Sequence, residues 1–350
     1  MRIAFPMFDL GRSGGAKVIV RLAEASLSRG HEVTLVTPRS RKKSQFSLDA
    51  KVLEVTKLPF PTVRRLAPTV MCGAFFPLAR GLRDFDVVVA NYGPTCLSAK
   101  LVRGKNRRLY YLVQHDETTF FSHISPEYWV TRLSYSGFEE GRVFAVSKWL
   151  QEMVRKRGGP EPTLLPPGID HGTYYPRGSM PHQGRHVLVL ARGQRWRGIQ
   201  VLLDAMELVK REVPDVKLIA AGDSRMRLET SCPVEYVSPS DDELAKLYSS
   251  CDVFVLPSFL EGMPVPPLET MACGGAVVMT DCMGNRDYSL HGENCLVVPP
   301  RDPDSLAKAI IRVLTDNSLS EQLRRNGPPT AAPWTYERMG RIFVESIESG

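Results

Sequence analysis

The sequence predicts an α/β protein made of two domains, each built on a doubly wound parallel sheet. Short apolar runs rich in β-branched residues alternate with amphipathic helical patterns along the chain, and such alternation is typical of parallel sheets. A chain of 350 residues is long enough for two domains with full cores. The turn-rich passage at 163–170, Thr-Leu-Leu-Pro-Pro-Gly-Ile-Asp, separates two series of elements. We therefore expect an N-terminal domain at 1–165 and a C-terminal domain at 170–333.

The first series opens with a strand, a glycine-containing loop and a helix. Strands are predicted at 2–5, 32–37, 51–55, 86–91, 108–113 and 142–146, and the first helix at 16–28. The loop Gly11-Arg-Ser-Gly14-Gly15-Ala16 places small residues at the start of that helix, where backbone N–H groups attract anions. Its spacing differs from the G-x-G-x-x-G of dinucleotide-binding folds, which are the rival interpretation.

Polar residues follow the predicted strand at 108–113, in the order Gln114, His115, Asp116 and Glu117. A histidine at this end of a strand is able to donate to a sugar hydroxyl or to move a proton near neutral pH. The alternative is a solvated loop. The nearby D-x-D motif at 84–86 occurs in some metal and diphosphate sites, but here it lies at the start of a strand, away from the edge where ligands bind. We expect it to be structural.

The second series has its own candidate anion site. Strands are predicted at 186–191, 216–221, 234–237, 253–256, 276–279 and 295–298, and helices at 199–211, 241–249 and 303–314. The segment Arg192-Gly-Gln-Arg-Trp-Arg197-Gly follows the first of these strands and opens the long helix. Guanidinium groups pair with phosphate oxygens, and a helix N-terminus adds its own positive field. Arg192 and Arg197 are therefore candidate diphosphate ligands, with solvated surface arginines as the alternative.

Two carboxylates lie between the predicted strands at 253–256 and 276–279. We place Glu261 in the loop and Glu269 in the first turn of a short helix that Pro267 helps to start and Gly274 stops. Carboxylates accept hydrogen bonds from hydroxyls, which suits the diols of sugars and riboses. The alternative is that Glu269 only caps its helix and Glu261 is a solvated charge.

The spacing of these two residues carries a family resemblance. The segment Glu261-Gly-Met-Pro-Val-Pro-Pro-Leu-Glu269 resembles the E-x7-E signature of family 4 glycosyltransferases, which are retaining, nucleotide-sugar-dependent enzymes with the GT-B fold. The resemblance implies two Rossmann-like domains facing a central cleft, with the donor held by the C-terminal domain. It implies that Glu269 holds the ribose hydroxyls and Glu261 contacts the transferred sugar. Gly262, Met263 and Val265 would also contact the donor.

Other parts of the chain resemble the family less closely. The resemblance implies that Gly14 and Gly15 face the donor phosphates and that His115 contacts the donor sugar. It maps the family's R-x4-KG element onto Arg192 and Arg197, where arginine replaces lysine at 197 and so keeps the charge but changes its geometry. Many members carry glycine at the position of Pro264, and proline has no backbone N–H to offer a donor. The tail at 334–350 should be helical and pack back on the first domain.

Composition and charge limit the partners. Seven scattered cysteines without a C-x-x-C pair predict reduced core thiols, with neither a zinc site nor disulfides. The net charge of +7 favours an acidic partner such as a nucleoside diphosphate or anionic lipid. Nucleic acid is disfavoured because the basic residues lack interleaved aromatics. The basic, apolar stretch at 59–83 predicts either peripheral membrane contact or a packed helix. Without a signal peptide or spanning segment, the protein is expected in the cytoplasm or at the inner face of the membrane.

The predicted function follows from the motifs and the resemblance together. We expect a metal-independent, retaining hexosyltransferase that needs no cofactor and moves a sugar from a nucleoside-diphosphate sugar to an acceptor hydroxyl, free or lipid-linked. Polysaccharide, glycolipid or other glycoconjugate synthesis would be its setting. The expected catalytic residues are His115, Arg192, Arg197 and Glu261. The alternatives are a GT-B nucleotide-sugar epimerase and a non-catalytic nucleotide-sugar-binding scaffold.

Overall fold

The computed structural model describes residues 1–8, 14–38, 50–56, 76–102, 104, 107–178, 183–191, 193–222 and 227–350. These residues divide into two compact units, the first made of residues 1–168 with 336–350 and the second of residues 169–335. The division falls inside the turn-rich passage at 163–170. Most of the basic, apolar stretch at 59–83 lies outside the described residues, and its described end is helical at 76–81.

The first unit is a seven-stranded parallel sheet with helices. Its strands are β1 Arg2–Pro6, β2 Glu32–Pro38, β3 Lys51–Val55, β4 Val87–Ala90, β5 Arg108–Val113, β6 Val143–Ala145 and β7 Thr163–Leu164. Its first four numbered helices are α1 Gly14–Ser28, α2 Gly93–Leu101, α3 Pro126–Ser134 and α4 Lys148–Lys156. The strand order is β3-β2-β1-β4-β5-β6-β7, so the order reverses between β1 and β4. The short strand β7 was not predicted, because two residues carry no periodicity.

The second unit repeats this plan with six strands. They are β8 Arg185–Ala191, β9 Val216–Gly222, β10 Val234–Val237, β11 Val253–Leu256, β12 Val277–Thr280 and β13 Leu296–Val298. The helices are α5 Ile199–Glu212, α6 Asp241–Ser250, α7 Val265–Ala272, α8 Pro303–Thr315 and α9 Asn317–Ala331, and the chain then ends in α10 Tyr336–Ser349. The strand order is β10-β9-β8-β11-β12-β13, and all neighbours are parallel. The predicted fold class of two parallel-sheet α/β domains is confirmed.

Helix α10 belongs to the first unit although it follows the second in sequence. Its buried Phe343 packs on Phe5 of β1 and Phe144 of β6, with ring centroids 6.0 and 5.5 Å away. Gly340 faces α1 so closely that a Cβ at this position would lie 2.6 Å from the Cβ of Ala25. The helix therefore completes the core of the first unit.

Helix α9 was not predicted, because Pro328 and Pro329 near its end look like a break in the sequence. Proline removes a helical hydrogen bond, yet both residues lie inside the helix. Its buried residues recur every four positions, at Leu319, Leu323, Gly327 and Ala331. A Cβ at Gly327 would lie 2.9 Å from the carbonyl oxygen of Met271, so glycine lets α9 approach α7 closely. The buried stripe outweighs the two lost hydrogen bonds.

The cysteines and the helix lengths bear on two further expectations. Each of the six cysteines in the described part of the chain is buried and outside any disulfide, as predicted for core thiols, and Cys72 lies outside that part. Among the helices of the described ranges, none has both the length and the apolar character that crossing a bilayer requires.

Candidate functional site

The strand order of the second unit defines where its candidate site lies. Strands β8 and β11 are hydrogen-bonded neighbours at the centre of the sheet, and the chain runs outward in opposite directions from them. Ligands of open α/β sheets bind at such a switch point, beyond the carboxyl ends of the strands. The loop after β8 carries Arg197, and the loop after β11 carries Glu261. The topology therefore brings these two predicted residues to one place.

Arg197 and Glu261 form an ion pair at this switch point. The Nη1 atom of Arg197 donates to Oε1 of Glu261 at 2.5 Å, and both side chains are largely shielded from solvent. The alternative reading of Glu261 as a solvated loop charge is therefore wrong. The Nε of Arg197 is also buried, and among the described residues it meets no hydrogen-bond acceptor. Buried charges persist only when paired, so each residue holds the other in the site.

The two loops are fixed to each other by their backbones. The N–H of Phe259 donates to the carbonyl of Trp196 at 2.7 Å. Gly198, with φ of 66°, is the N-cap residue of α5, and a Cβ there would lie 1.9 Å from the carbonyl oxygen of Pro257. Only glycine fits this left-handed position and close approach. Gly198 thus allows the loop after β8, which carries Arg197, to lie close to the loop after β11, which carries Glu261.

A strained turn supports Glu261 from the other side. The N–H of Glu261 donates to the carbonyl of Cys282 at 3.0 Å, and the N–H of Gly284 donates to the same carbonyl at 2.9 Å. Met283, between them, has φ of 70° and ψ of −59°, which is the rare and strained form of the γ-turn. A Cβ on Gly284 would lie 2.2 Å from the carbonyl oxygen of Gly262. This support was not predicted from the sequence, since a single Gly after a strand indicates only a loop.

Glu269 lies deeper in its helix than predicted. Helix α7 begins at Val265 after an N-cap at Pro264 and has no acidic residue in its first turn, so Glu269 is its fifth residue and does not cap it. Its carboxylate is buried, and the hydroxyl of Tyr248 lies 3.5 Å from one oxygen. The prediction of a first-turn position was wrong because the helix starts two residues before Pro267. Gly274, with φ of 71°, ends the helix region as expected.

The loop between the two glutamates is well packed. Gly262 and Met263 are buried, and Val265 is half-buried at the start of α7. Tyr288 donates its hydroxyl to the carbonyl of Pro264 at 2.9 Å. The proline that departs from the family pattern therefore has its carbonyl tied to the core of the second unit.

The first unit brings Gly15 and Gln114 together. Gly14 and Gly15 are the first residues of α1, at the carboxyl end of β1, while residues 11–13 of the loop lie outside the described part. The Nε2 of Gln114 lies 3.4 Å from the carbonyl of Gly15, and a Cβ on Gly15 would come within 3.2 Å of the Gln114 side chain. His115 is half-buried, with its ring 4.8 Å from that of Phe120. These residues lie beyond β1 and β5, next to the switch point of this sheet.

The acidic residues after His115 are buried rather than solvated. Arg157 donates to both carboxylate oxygens of Asp116, at 2.7 and 2.6 Å. Glu117 accepts the N–H of Gly93, the first residue of α2, at 2.7 Å, and its own N–H donates to the hydroxyl of Tyr135 at 3.2 Å. Burial, aided by the negative charge of Asp116 and opposed by the Gly93 bond, raises the pKa of Glu117 to about 8. The predicted alternative of a solvated loop is wrong for this pair.

Other predicted sites have simpler outcomes. Arg192 lies outside the described residues. Asp86 accepts hydrogen bonds from the backbone N–H and the guanidinium of Arg2 at 2.8 and 3.1 Å, so the second aspartate of the D-x-D motif has the structural role expected of it. Within the described ranges, no cluster of three or more His, Cys, Asp or Glu residues could hold a metal ion.

Comparisons with known proteins agree with this architecture. The family model for glycosyltransferase family 4 matches residues 12–173, and the model for glycosyl transferases group 1 matches residues 184–316. Among solved structures, sucrose-phosphate synthase from Thermosynechococcus elongatus covers 100% of both chains with a TM-score of 0.84 and 19% identity. Anabaena HepE, solved in complex with UDP and glucose, covers 100% of both chains with a TM-score of 0.79 and 19% identity.

Proteins with similar sequences include glycosyltransferases. An uncharacterized glycosyltransferase of Methanocaldococcus jannaschii is 33% identical over 40% of this chain and 38% of its own. A GDP-mannose-dependent phosphatidylinositol monomannoside mannosyltransferase of Mycolicibacterium smegmatis is 25% identical over 96% of this chain and 95% of its own. The matches to the first few curated relatives span less than half of those relatives' length. Two family models in tandem, together with the two-sheet architecture, show that the chain belongs to the family 4-type glycosyltransferases with the GT-B fold.

Proposed function

We infer that this protein is a retaining glycosyltransferase that moves a sugar from a nucleoside-diphosphate sugar to an acceptor hydroxyl. The observation that carries this proposal is the Arg197–Glu261 pair at the switch point of the second sheet, 2.5 Å apart. There the guanidinium of Arg197, which is able to bind phosphate, lies beside the carboxylate of Glu261, which is able to accept hydrogen bonds from hydroxyls. A nucleotide sugar presents these two groups next to each other, at its diphosphate and its sugar ring.

Arg197 would stabilise the charge that develops on the departing diphosphate. A guanidinium carries five N–H donors, and one of them is used by Glu261. The buried Nε, which meets no acceptor among the described residues, would be satisfied by a phosphate oxygen. Arg192 is proposed as the second cation, and the N-terminus of α5 would add backbone donors. Charge stabilisation of this kind is commonly the largest single contribution to catalysis.

The carboxylates would orient the donor. Glu269 is proposed to accept hydrogen bonds from the ribose hydroxyls, and Glu261 from a hydroxyl of the transferred sugar, since ionised acceptors make the stronger bonds. The backbone of Gly262 and Met263 and the side chain of Val265 would line the same donor site. His115 is proposed to contact the transferred sugar. In the retaining reaction, the leaving phosphate oxygen would take the proton of the acceptor hydroxyl as the new glycosidic bond forms on the same face.

The setting of the reaction is proposed from the relatives. The Mycolicibacterium relative is named for a phosphatidylinositol mannoside acceptor, and a Campylobacter relative is named for an undecaprenol diphosphate acceptor. Polysaccharide, glycolipid or other glycoconjugate synthesis at the cytoplasmic face of the membrane fits these names. Arg197, together with the proposed Arg192, would supply the positive charge that some transferases obtain from a metal, which supports turnover without one.

The test is to incubate the protein with a panel of nucleotide sugars and simple alcohol acceptors, in chelator, and to assign the anomer of any product. Transfer or slow donor hydrolysis with retention supports the proposal, and an inverted product would refute the mechanism. An isomerised donor would instead show an epimerase, and binding without turnover a scaffold. Turnover that requires added metal would contradict the metal-independent part of the proposal.

A further inference from the structure

Helix α3 in the first unit buries hydroxyl-bearing side chains and exposes apolar ones. Its buried side chains are the hydroxyl-bearing Thr131 and Ser134, which are 1% and 0% exposed. Its apolar side chains face outward, with Trp129 and Leu133 exposed by 54% and 63% and Val130 also exposed. Leu133 follows Trp129 by four positions and Val130 by three, and both spacings place side chains on one face of a helix. A helix packed only for its own unit would bury that face and expose the hydroxyls.

The buried face of α3 shows that this orientation is fixed. Ser134 donates its hydroxyl to the carbonyl of Thr131 at 2.7 Å and lies 3.3 Å from the hydroxyl of Tyr111 in β5. Tyr135, directly after the helix, is fully buried beside Tyr111. Rotating α3 to cover its apolar face would break these contacts, so its apolar face is held outward.

The residue before the helix adds to the same exposed surface. Ser125 is the N-cap and accepts the N–H of Tyr128, so Ile124 and Trp129 occupy the two positions of a hydrophobic staple. Ile124 nevertheless keeps 92% of its surface exposed, which excludes a packed staple. Its side chain therefore extends into solvent beside α3.

Helix α2 borders this surface with a cation and one more leucine. The ammonium of Lys100 donates to the carbonyls of Ser134 and Ser136 at 3.1 and 2.7 Å, at the end of α3. Leu101, the next residue, is about as exposed as Trp129, and Arg132 is exposed between Trp129 and Leu133. We name Leu101, Ile124, Trp129, Val130 and Leu133 the α3 surface.

The charge of the two units differs in sign. The first unit has 28 Lys and Arg against 17 Asp and Glu, a net charge of +11. The second has 17 against 21, a net charge of −4. The apolar α3 surface therefore lies on the strongly basic unit. A second copy of this chain would bring two basic units together, which is unfavourable, and five side chains are far fewer than the roughly 20 to 30 residues a side of a stable protein interface.

We propose that the α3 surface binds the headgroup region of an anionic phospholipid bilayer. Apolar side chains with an interfacial tryptophan insert shallowly into that region, and a basic surround holds them there. Neither signal alone suffices for stable binding, whereas the two together do. The proposal concerns the location of the protein, and it stands whether or not the transferase activity proposed above is found.

The test is co-sedimentation with vesicles in the absence of any substrate. The wild-type protein is mixed with vesicles of phosphatidylglycerol and phosphatidylcholine, or of phosphatidylcholine alone, at low and high salt. The variant Ile124→Asn/Leu133→Asn removes two inserted side chains and should weaken binding to the anionic vesicles by about tenfold or more. The control is Leu290→Asn, at an exposed leucine on the second unit, which should change binding less than about twofold. Thermal unfolding of each variant verifies its fold.

A second measurement places Trp129 in the membrane. Brominated phosphatidylglycerol should quench part of the tryptophan fluorescence of the wild-type protein, and Trp129→Phe should abolish that quenching. The proposal is overturned if anionic vesicles do not retain the protein, if the double variant binds as well as the control, or if neutral vesicles bind equally well. A change of oligomeric state in the double variant without vesicles would also overturn it and would identify a second copy as the partner.

Discussion

Replacing Glu117 with glutamine should change how the stability of this protein depends on pH. The carboxyl group is buried between α2 and the loop after β5, and it accepts the N–H of Gly93. Glutamine keeps an acceptor for that N–H but has no charge to bury. The comparison of wild type with Glu117→Gln therefore isolates the cost of ionising this one group.

The sign and size follow from the raised pKa. Burial raises the pKa of Glu117 from 4.5 to about 8, so the folded state holds the proton more tightly than the unfolded state does. Its stabilising contribution is complete below pH 4.5 and is lost as pH rises through about 8. Since each pKa unit corresponds to about 1.4 kcal/mol, the rise from 4.5 to about 8 makes the full loss about 5 kcal/mol. Entry of water around the ionised group would reduce this figure, which is therefore an upper limit.

The assay is urea unfolding of both proteins at intervals between pH 5 and pH 9. The free energy of unfolding of the wild type, relative to Glu117→Gln, should fall by roughly 2 to 4 kcal/mol across this range. Other titrating groups are common to both proteins and cancel in the difference, as does any constant cost of burying the amide. The control is Glu140→Gln at an exposed position in the same unit, whose difference from wild type should stay flat. Parallel curves for wild type and Glu117→Gln would refute the reasoning, because the buried carboxyl would then titrate normally.

Three further substitutions test the second unit. Glu269→Ala should weaken nucleotide binding by about 2 kcal/mol, roughly thirtyfold, through the loss of a charged acceptor; unchanged affinity in calorimetry would contradict the ribose role. Arg197→Ala should reduce turnover much more than it reduces nucleoside monophosphate binding, because the arginine is assigned to the leaving phosphate; equal losses would leave it only a structural partner of Glu261. Gly284→Ala should destabilise the protein by about 1 to 3 kcal/mol in urea unfolding, because its Cβ would meet the Gly262 carbonyl, whereas Gly104→Ala, with open space at its Cβ, should change little. Equally small changes in the free energy of unfolding for both variants would show that the backbone around Gly284 shifts easily to accept a Cβ.

Local patterns in the sequence were sufficient for most of the fold. The strands at 51–55, 108–113, 234–237 and 253–256 have the predicted bounds, because each is an apolar or alternating run between clear turn residues. Hydrophobic periodicity did not predict elements that are too short to show it or that contain residues unfavourable to a helix. Strand β7 is too short to show a period, and the proline pair in α9 hides a buried stripe that only its contact with α7 explains.

The site was predictable in residue type but not in arrangement. Spacing and resemblance identified Arg197 and Glu261 separately, yet their pairing depends on β8 and β11 being neighbours. The burial of Asp116 depends on Arg157, which follows it by 41 positions. The strained turn at Met283 has no signature, because any residue between a strand and a glycine looks like a loop. Contacts between distant segments decided each of these cases.

The return of α10 to the first unit has a consequence for how the chain is made. When the ribosome has synthesised residues 169–335, the first 168 residues have left the exit tunnel, but Phe5 and Phe144 still lack the side chain of Phe343 that covers them. The second unit is continuous in sequence and is able to mature first. The nascent N-terminal unit must therefore wait with part of its core open until α10 has left the exit tunnel.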